Sequence, residues 1–132
     1  MDLSNLSISA HDGEWLPINA PDGTHILDML IVGRDSTECK EASRIASANV
    51  RKMKGEIKPE KLEDDNKKTV IACIKDWRDP ETLVNEITFK GEKLKCNYTT
   101  KRQIIDEFPF IYRQVDAYIV DDANFFKVLA KN

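Results

Sequence analysis

Apolar and polar residues first fall into a regular order at Glu14 to Ala20, EWLPINA, an imperfect alternation of the kind a half-buried strand shows. Pro17 cannot donate a ladder hydrogen bond, so it confines that strand to a sheet edge. Pro21-Asp22-Gly23 reads as a turn, with proline fixing one φ and glycine supplying the unusual one. THILDMLIVG follows, where Ile26, Asp28 and Leu30 face one side and Leu27, Met29 and Ile31 the other. The two runs predict a β-hairpin whose second strand is mostly buried.

From Asp35 the period changes. Asp35 and Glu38 have the spacing of a capping box, and Cys39, Ala42, Ala46, Asn49/Val50 and Met53 follow the three-then-four rhythm of one buried helical stripe that ends near Gly55. Pro59 suits the first turn of a second helix, with Glu63/Lys67 and Asp64/Lys68 pairing at i,i+4. Leu62, Thr69, Val70, Cys73 and Trp77 extend its apolar stripe to a break at Asp79-Pro80. The charge run from Lys58 to Lys68 is read as a solvated face. Ile87 to Phe89 and Leu94 to Cys96 flank Lys90-Gly91-Glu92 as a short hairpin. Thr100 and Gln103 suggest a second capping box, opening a helix that Pro109 interrupts at Phe108. A last helix carries Ile111, Val115, Tyr118/Ile119 and Phe126 on one stripe. The expected class is α+β: an N-terminal β-hairpin followed by a mostly α-helical body of about four helices. Residues 1–12 are expected as a flexible N-terminal segment and 13–132 as a single domain.

Composition narrows the function classes. Twenty basic and 23 acidic residues leave a formal charge of −3, so the one-signed surface that nucleic acid demands is not expected. The start lacks the basic and apolar regions of a secretory signal, and the run Ile26 to Val32 is too short to span a bilayer, so no membrane partner is expected. Cys39, Cys73 and Cys96 form no CxxC pair and read as reduced thiols of a cytosolic protein.

Candidate chemistry is thin. His11 and His25 are the two imidazoles, one near the chain start and one beside a turn, and both read as surface residues. Cys39 and Cys73 lie on apolar stripes and read as small core residues. Asp64/Asp65 and Asp121/Asp122 are adjacent in helices, pointing about 100° apart, so they do not converge on a cation. No phosphate loop, GxSxG elbow or calcium loop occurs. No catalytic residue, metal ligand or cofactor is therefore expected. Three aromatic residues are candidate interaction residues: Trp15 in the edge strand, and the adjacent Phe125 and Phe126, which on one helix cannot both enter the same core.

The second half carries a recognisable pattern. Trp77 is followed by Phe89-Lys90-Gly91-Glu92-Lys93-Leu94, Thr99-Thr100-Lys101-Arg102-Gln103, Pro109-Phe110-Ile111 with Gln114-Val115, and Asn124-Phe125. This resembles the ending of the tail assembly chaperones of long-tailed, siphovirus-type bacteriophages. The proline-aspartate-glycine hairpin and the helix start at Asp35-Ser36 fit the front half, so the resemblance covers roughly residues 14 to 126 through scattered residues. It implies a non-enzymatic homo-oligomer of the bacterial host cytoplasm that binds the tape-measure protein, helps recruit tail tube protein, and is absent from the mature particle. The family offers no catalytic residues to carry over and no fixed binding residues. The alternative is a structural tail or head-to-tail connector protein retained in the virion, and a small enzyme is a further rival.

Overall fold

The computed structural model describes residues 3, 6–8, 12–52, 58–121 and 124–128. Strands β1 (Leu6–Ile8), β2 (Glu14–Asn19) and β3 (His25–Ile31) precede helices α1 (Thr37–Lys52) and α2 (Pro59–Cys73). Then come β4 (Ile74–Arg78), β5 (Glu86–Phe89), β6 (Glu92–Lys95), α3 (Tyr98–Glu107), α4 (Pro109–Ile119) and β7 (Phe126–Val128). The chain is α+β, with an early hairpin and four helices among the described residues.

The hairpin is β2 against β3, antiparallel, with Pro17 opposite Asp28 and β2 at the edge of a three-stranded sheet ordered β2-β3-β4. Its turn closes through Gly23 N–H to Ala20 O at 2.8 Å, while Asp22 Oδ1 accepts from Thr24 N–H at 2.9 Å. Gly23 takes the positive φ of 90° that the turn requires. The later hairpin, β5 with β6, turns through Lys90 and Gly91 at φ of 53° and 80°, the pair of left-handed residues that a tight two-residue connection needs.

Helix starts fall slightly away from the expected positions. Ser36, one residue after Asp35, caps α1: its buried Oγ accepts from Cys39 N–H at 3.2 Å, and its carbonyl takes the first helical bond from Lys40. Asn97 caps α3 in a reciprocal box with Thr100, so Thr100 is the third helical residue and not the cap. Phe108 is the break between α3 and α4, as Pro109 dictates.

Two expectations are corrected. The second helix does not run to Asp79: it stops at Cys73, and Ile74 to Arg78 turns directly into β4, which pairs antiparallel with β3. Lys101 Nζ secures that junction by donating to the carbonyls of Ile71 at 3.2 Å and Ile74 at 2.9 Å, groups the ending helix would leave short of partners. Trp77 is thus a strand residue, fully buried, its indole N–H donating to Leu94 O at 3.0 Å. The last helix ends at Ile119, so Phe125 and Phe126 are not on it. The segment expected as flexible contains β1, paired antiparallel with β7 from the other end of the chain. Of the remaining sequence expectations, Met53 and Gly55 lie outside the described residues.

One core binds the sheet to α2, α3 and α4, through Ile18, Met29, Ile31, Val70, Ile71, Trp77, Ile104, Ile111 and Val115. Among the described residues α1 gives this core only Cys39. Toward α2 it sets the half-buried Ala42 and Ala46, small side chains that line the cleft described next.

Candidate functional site

Small side chains on one helix and polar ones on its neighbour leave a poorly filled seam between α1 and α2. Two hollows flank it. The larger, about 540 Å³, is lined by Ser43, Ala46 and Ser47 of α1 and by Leu62, Asp65, Asn66 and Thr69 of α2. The smaller, about 160 Å³, lies against Ala42, Ile45, Ala46, Asp65, Lys68 and Tyr98. Ala46 and Asp65 border both. Three large apolar side chains stand exposed around this groove: Ile45 at 48%, Leu62 at 49% and Tyr98 at 57%. An apolar frame on a seam of small residues is the surface that accepts a helix face.

Asp65 lies at the bottom of the groove, only 5% exposed. Lys61, one turn earlier, donates to its Oδ1 at 2.9 Å, while Oδ2 is buried without a hydrogen-bond partner among the described residues. The sequence reading placed Asp65 on a solvated face, and this is corrected. Asp65 falls at the three-four spacing between Leu62 and Thr69, the same stripe that turns α2 inward, and that spacing was the available signal. Its neighbour Asp64 does face outward, where Arg102 at 2.6 Å and Lys68 at 3.2 Å hold its carboxyl below the usual carboxylate range. The expected i,i+4 pairs of α2 both form, Lys68 with Asp64 and, at 3.9 Å, Lys67 with Glu63.

The three candidate interaction residues fare differently. Trp15, half-buried on the edge strand, carries the Arg78 guanidinium 4.0 Å above its ring, and Arg78 Nε donates to the buried Asp28 at 3.0 Å. Phe125 is corrected to a core residue: it is 1% exposed and packs edge-on against Tyr118, so its ring is unavailable to a partner. Phe126 lies in β7 opposite Ile8, and the surroundings of its ring lie outside the described residues.

His25 does meet a carboxylate, Asp28, with Nε2 2.6 Å from Oδ1, but the pair sits on the sheet and borders none of the hollows described here. His11 lies outside the described residues. Cys39 and Cys73, from opposite ends of the two-helix unit, are both buried in the core, their thiols near enough to shift one another. Their interaction lowers Cys39 and raises Cys73, where burial adds to the rise. Burial likewise pushes the Cys96 thiol up to about 11. Among the described residues no three His, Cys, Asp or Glu side chains converge as a metal site would require, and no helix is long and apolar enough to cross a membrane.

A third hollow, about 270 Å³, opens between the β5/β6 hairpin and the α3/α4 corner, walled by Phe89, Phe108, Phe110, Ile104 and Ile111. Its rings pack edge-on or tilted at centroid distances of 5.5 and 5.8 Å. Asp79 at its rim accepts from the N–H groups of Thr82 and Glu81, which hold its carboxyl below the ordinary range and commit it to the local loop. Among the described residues, the groove over Asp65 is therefore where a buried acidic oxygen borders a hollow without a hydrogen-bond partner. No protein-family model, curated protein or solved structure matches this chain.

Proposed function

We propose that this chain is a non-catalytic protein-binding module that holds an amphipathic helix of its client in the α1–α2 groove. The observation that carries the reading is the frame of Ile45, Leu62 and Tyr98, exposed around a seam of alanines and serines. Covering such side chains is worth about 25 cal/mol per Å² of apolar surface removed from water, and a helix with apolar residues at i, i+3, i+4 and i+7 supplies the matching stripe. The resemblance of residues 14 to 126 to tail assembly chaperones agrees in kind. In that setting the client is the tape-measure protein of a long-tailed bacteriophage, a long helical chain whose apolar stripes need cover until tail tube protein polymerises around it. The exposed edge of β2 offers a self-contact for an oligomer.

Co-expression with the tape-measure protein tests the reading. The client is expected in the soluble fraction with the wild-type chain and in the pellet with Ile45→Lys or Leu62→Lys, exposed positions where lysine leaves the fold intact. A client equally insoluble with and without the wild-type chain sinks the proposal. Mass spectrometry of purified particles separates a chaperone, absent from them, from a connector retained in the virion.

A further inference from the structure

The lysine, arginine, threonine and asparagine donors around Asp65 among the described residues are already engaged, none of them on Oδ2. Lys61 is on Oδ1, Lys68 on Asp64, and Arg102 on Asp64 and Asp106. The Thr69 hydroxyl donates to the backbone carbonyl of Asp65, and Asn66 Nδ2 to Tyr112 and Asp116. Asp65 Oδ2 is left as a buried acceptor without a donor, on a side chain that borders both hollows of the seam. Folded domains seldom leave a buried polar atom unpaired, and where one persists beside an open cavity the missing donor is readily supplied from outside.

We propose that the groove reads a lysine on the client helix, with Asp65 as the residue that determines this preference. The inference deepens the helix-binding reading and rests on it. The lysine enters the larger hollow, where its ammonium donates to Asp65 Oδ2, and the Ser43 and Ser47 hydroxyl oxygens on the α1 wall offer further acceptors for its other N–H groups. Its methylene stem runs along Leu62 and Ala46, leaving the apolar contact intact. Lysine suits the site better than arginine, because a compact ammonium on a flexible stem fits a seam whose carboxylate already carries Lys61 on one oxygen, with no bidentate edge free for a guanidinium. Lys61 does not compete directly, since it holds the other oxygen, Oδ1.

The test uses capped, fluorescein-labelled helical peptides with a leucine stripe, carrying one lysine in turn at each position bordering that stripe. A norleucine peptide and an arginine peptide serve at each position as comparison, with binding to the full chain read by anisotropy. At one position lysine is expected to bind about tenfold tighter than norleucine, the gain of one charge-assisted hydrogen bond. Asp65→Asn and Asp65→Leu should each reduce that lysine-over-norleucine preference to within twofold. Glu63→Gln, two positions away and exposed, should leave the preference in place. If the wild type binds lysine and norleucine peptides equally, the lysine site is wrong while the helix groove stands. If Glu63→Gln erases the preference as fully as Asp65→Asn, the attraction is diffuse and the assignment to Asp65 falls. If no peptide binds, both the groove and the lysine site are overturned.

Discussion

Replacing Asp65 by leucine should stabilise the domain, an unusual direction for a change at a residue only 5% exposed. In the wild type, Oδ2 has lost its water without gaining a donor, a penalty of about 1–3 kcal/mol. Against that stands the Lys61 pair, whose lysine is 34% exposed and whose contribution is about 0–1 kcal/mol. Leucine is larger than aspartate, and its added methyl volume would enter the hollow beside Ala46 and Leu62, both already lining it. The net expectation is a gain of about 1–2 kcal/mol, which raises the urea midpoint by roughly 0.5–1 M and the melting temperature by about 4–8 °C. Trp77, buried and hydrogen-bonded to Leu94 O, reports global unfolding by its fluorescence. Lys61→Met is the opposite control: it leaves Oδ1 of the buried carboxylate without its donor as well, and should lower stability by about 1–3 kcal/mol. A midpoint for Asp65→Leu at or below the wild-type value would refute the reasoning, because it would mean that Oδ2 is satisfied in solution. The expected gain also bears on function: a residue whose removal stabilises the fold is retained for what it binds.

Other substitutions and conditions test separate parts of the structure. Trp77→Phe removes the donor to Leu94 O and leaves space in the core, so urea titration should show a loss of about 2–4 kcal/mol. Asn97→Ala deletes the side-chain half of the α3 capping box and should lower stability by about 1 kcal/mol, with Asn97→Gly losing only a few tenths. Arg102 holds Asp64 below its ordinary value. Burial works against the same shift at Asp106, but Arg102 and Lys67 outweigh it. With folded-state values under the unfolded ones, the unfolded chain binds more protons in acid; this stabilisation is whole above about pH 4 and drains away as pH falls through the folded-state values. Thermal melts between pH 5 and 2 should therefore show a steeper decline for wild type than for Arg102→Ala, and equal slopes would remove the network from the account.

Much of the local structure was legible because local chemistry decides it. Proline, aspartate and glycine at 21–23 and Lys90-Gly91 force turns wherever they stand, and the break at Phe108 follows from the ring of Pro109. The capping boxes were located only to within a few residues, since Ser36 and Asn97 compete with neighbours of similar chemistry and only the backbone geometry selects among them. The candidate site was mostly illegible. Its one readable sign was a carboxylate at the inward spacing of α2, and the surrounding charge run concealed it.

What the sequence determined by itself was the α+β class, the two hairpins, the four helices and the absence of a recognised catalytic motif, since each depends on residues within a few positions of one another. Tertiary structure alone decided the rest. Ile74 to Arg78 could continue a helical stripe, and it becomes a strand because β3 offers unpaired backbone beside it while Lys101, distant in sequence, closes the helix end. The pairing of β1 with β7 joins opposite ends of the chain, a contact no local window contains. Asp65 becomes buried because α1 comes to lie over it with small side chains, and whether a carboxylate meets water or a neighbouring helix is settled only when the two helices pack.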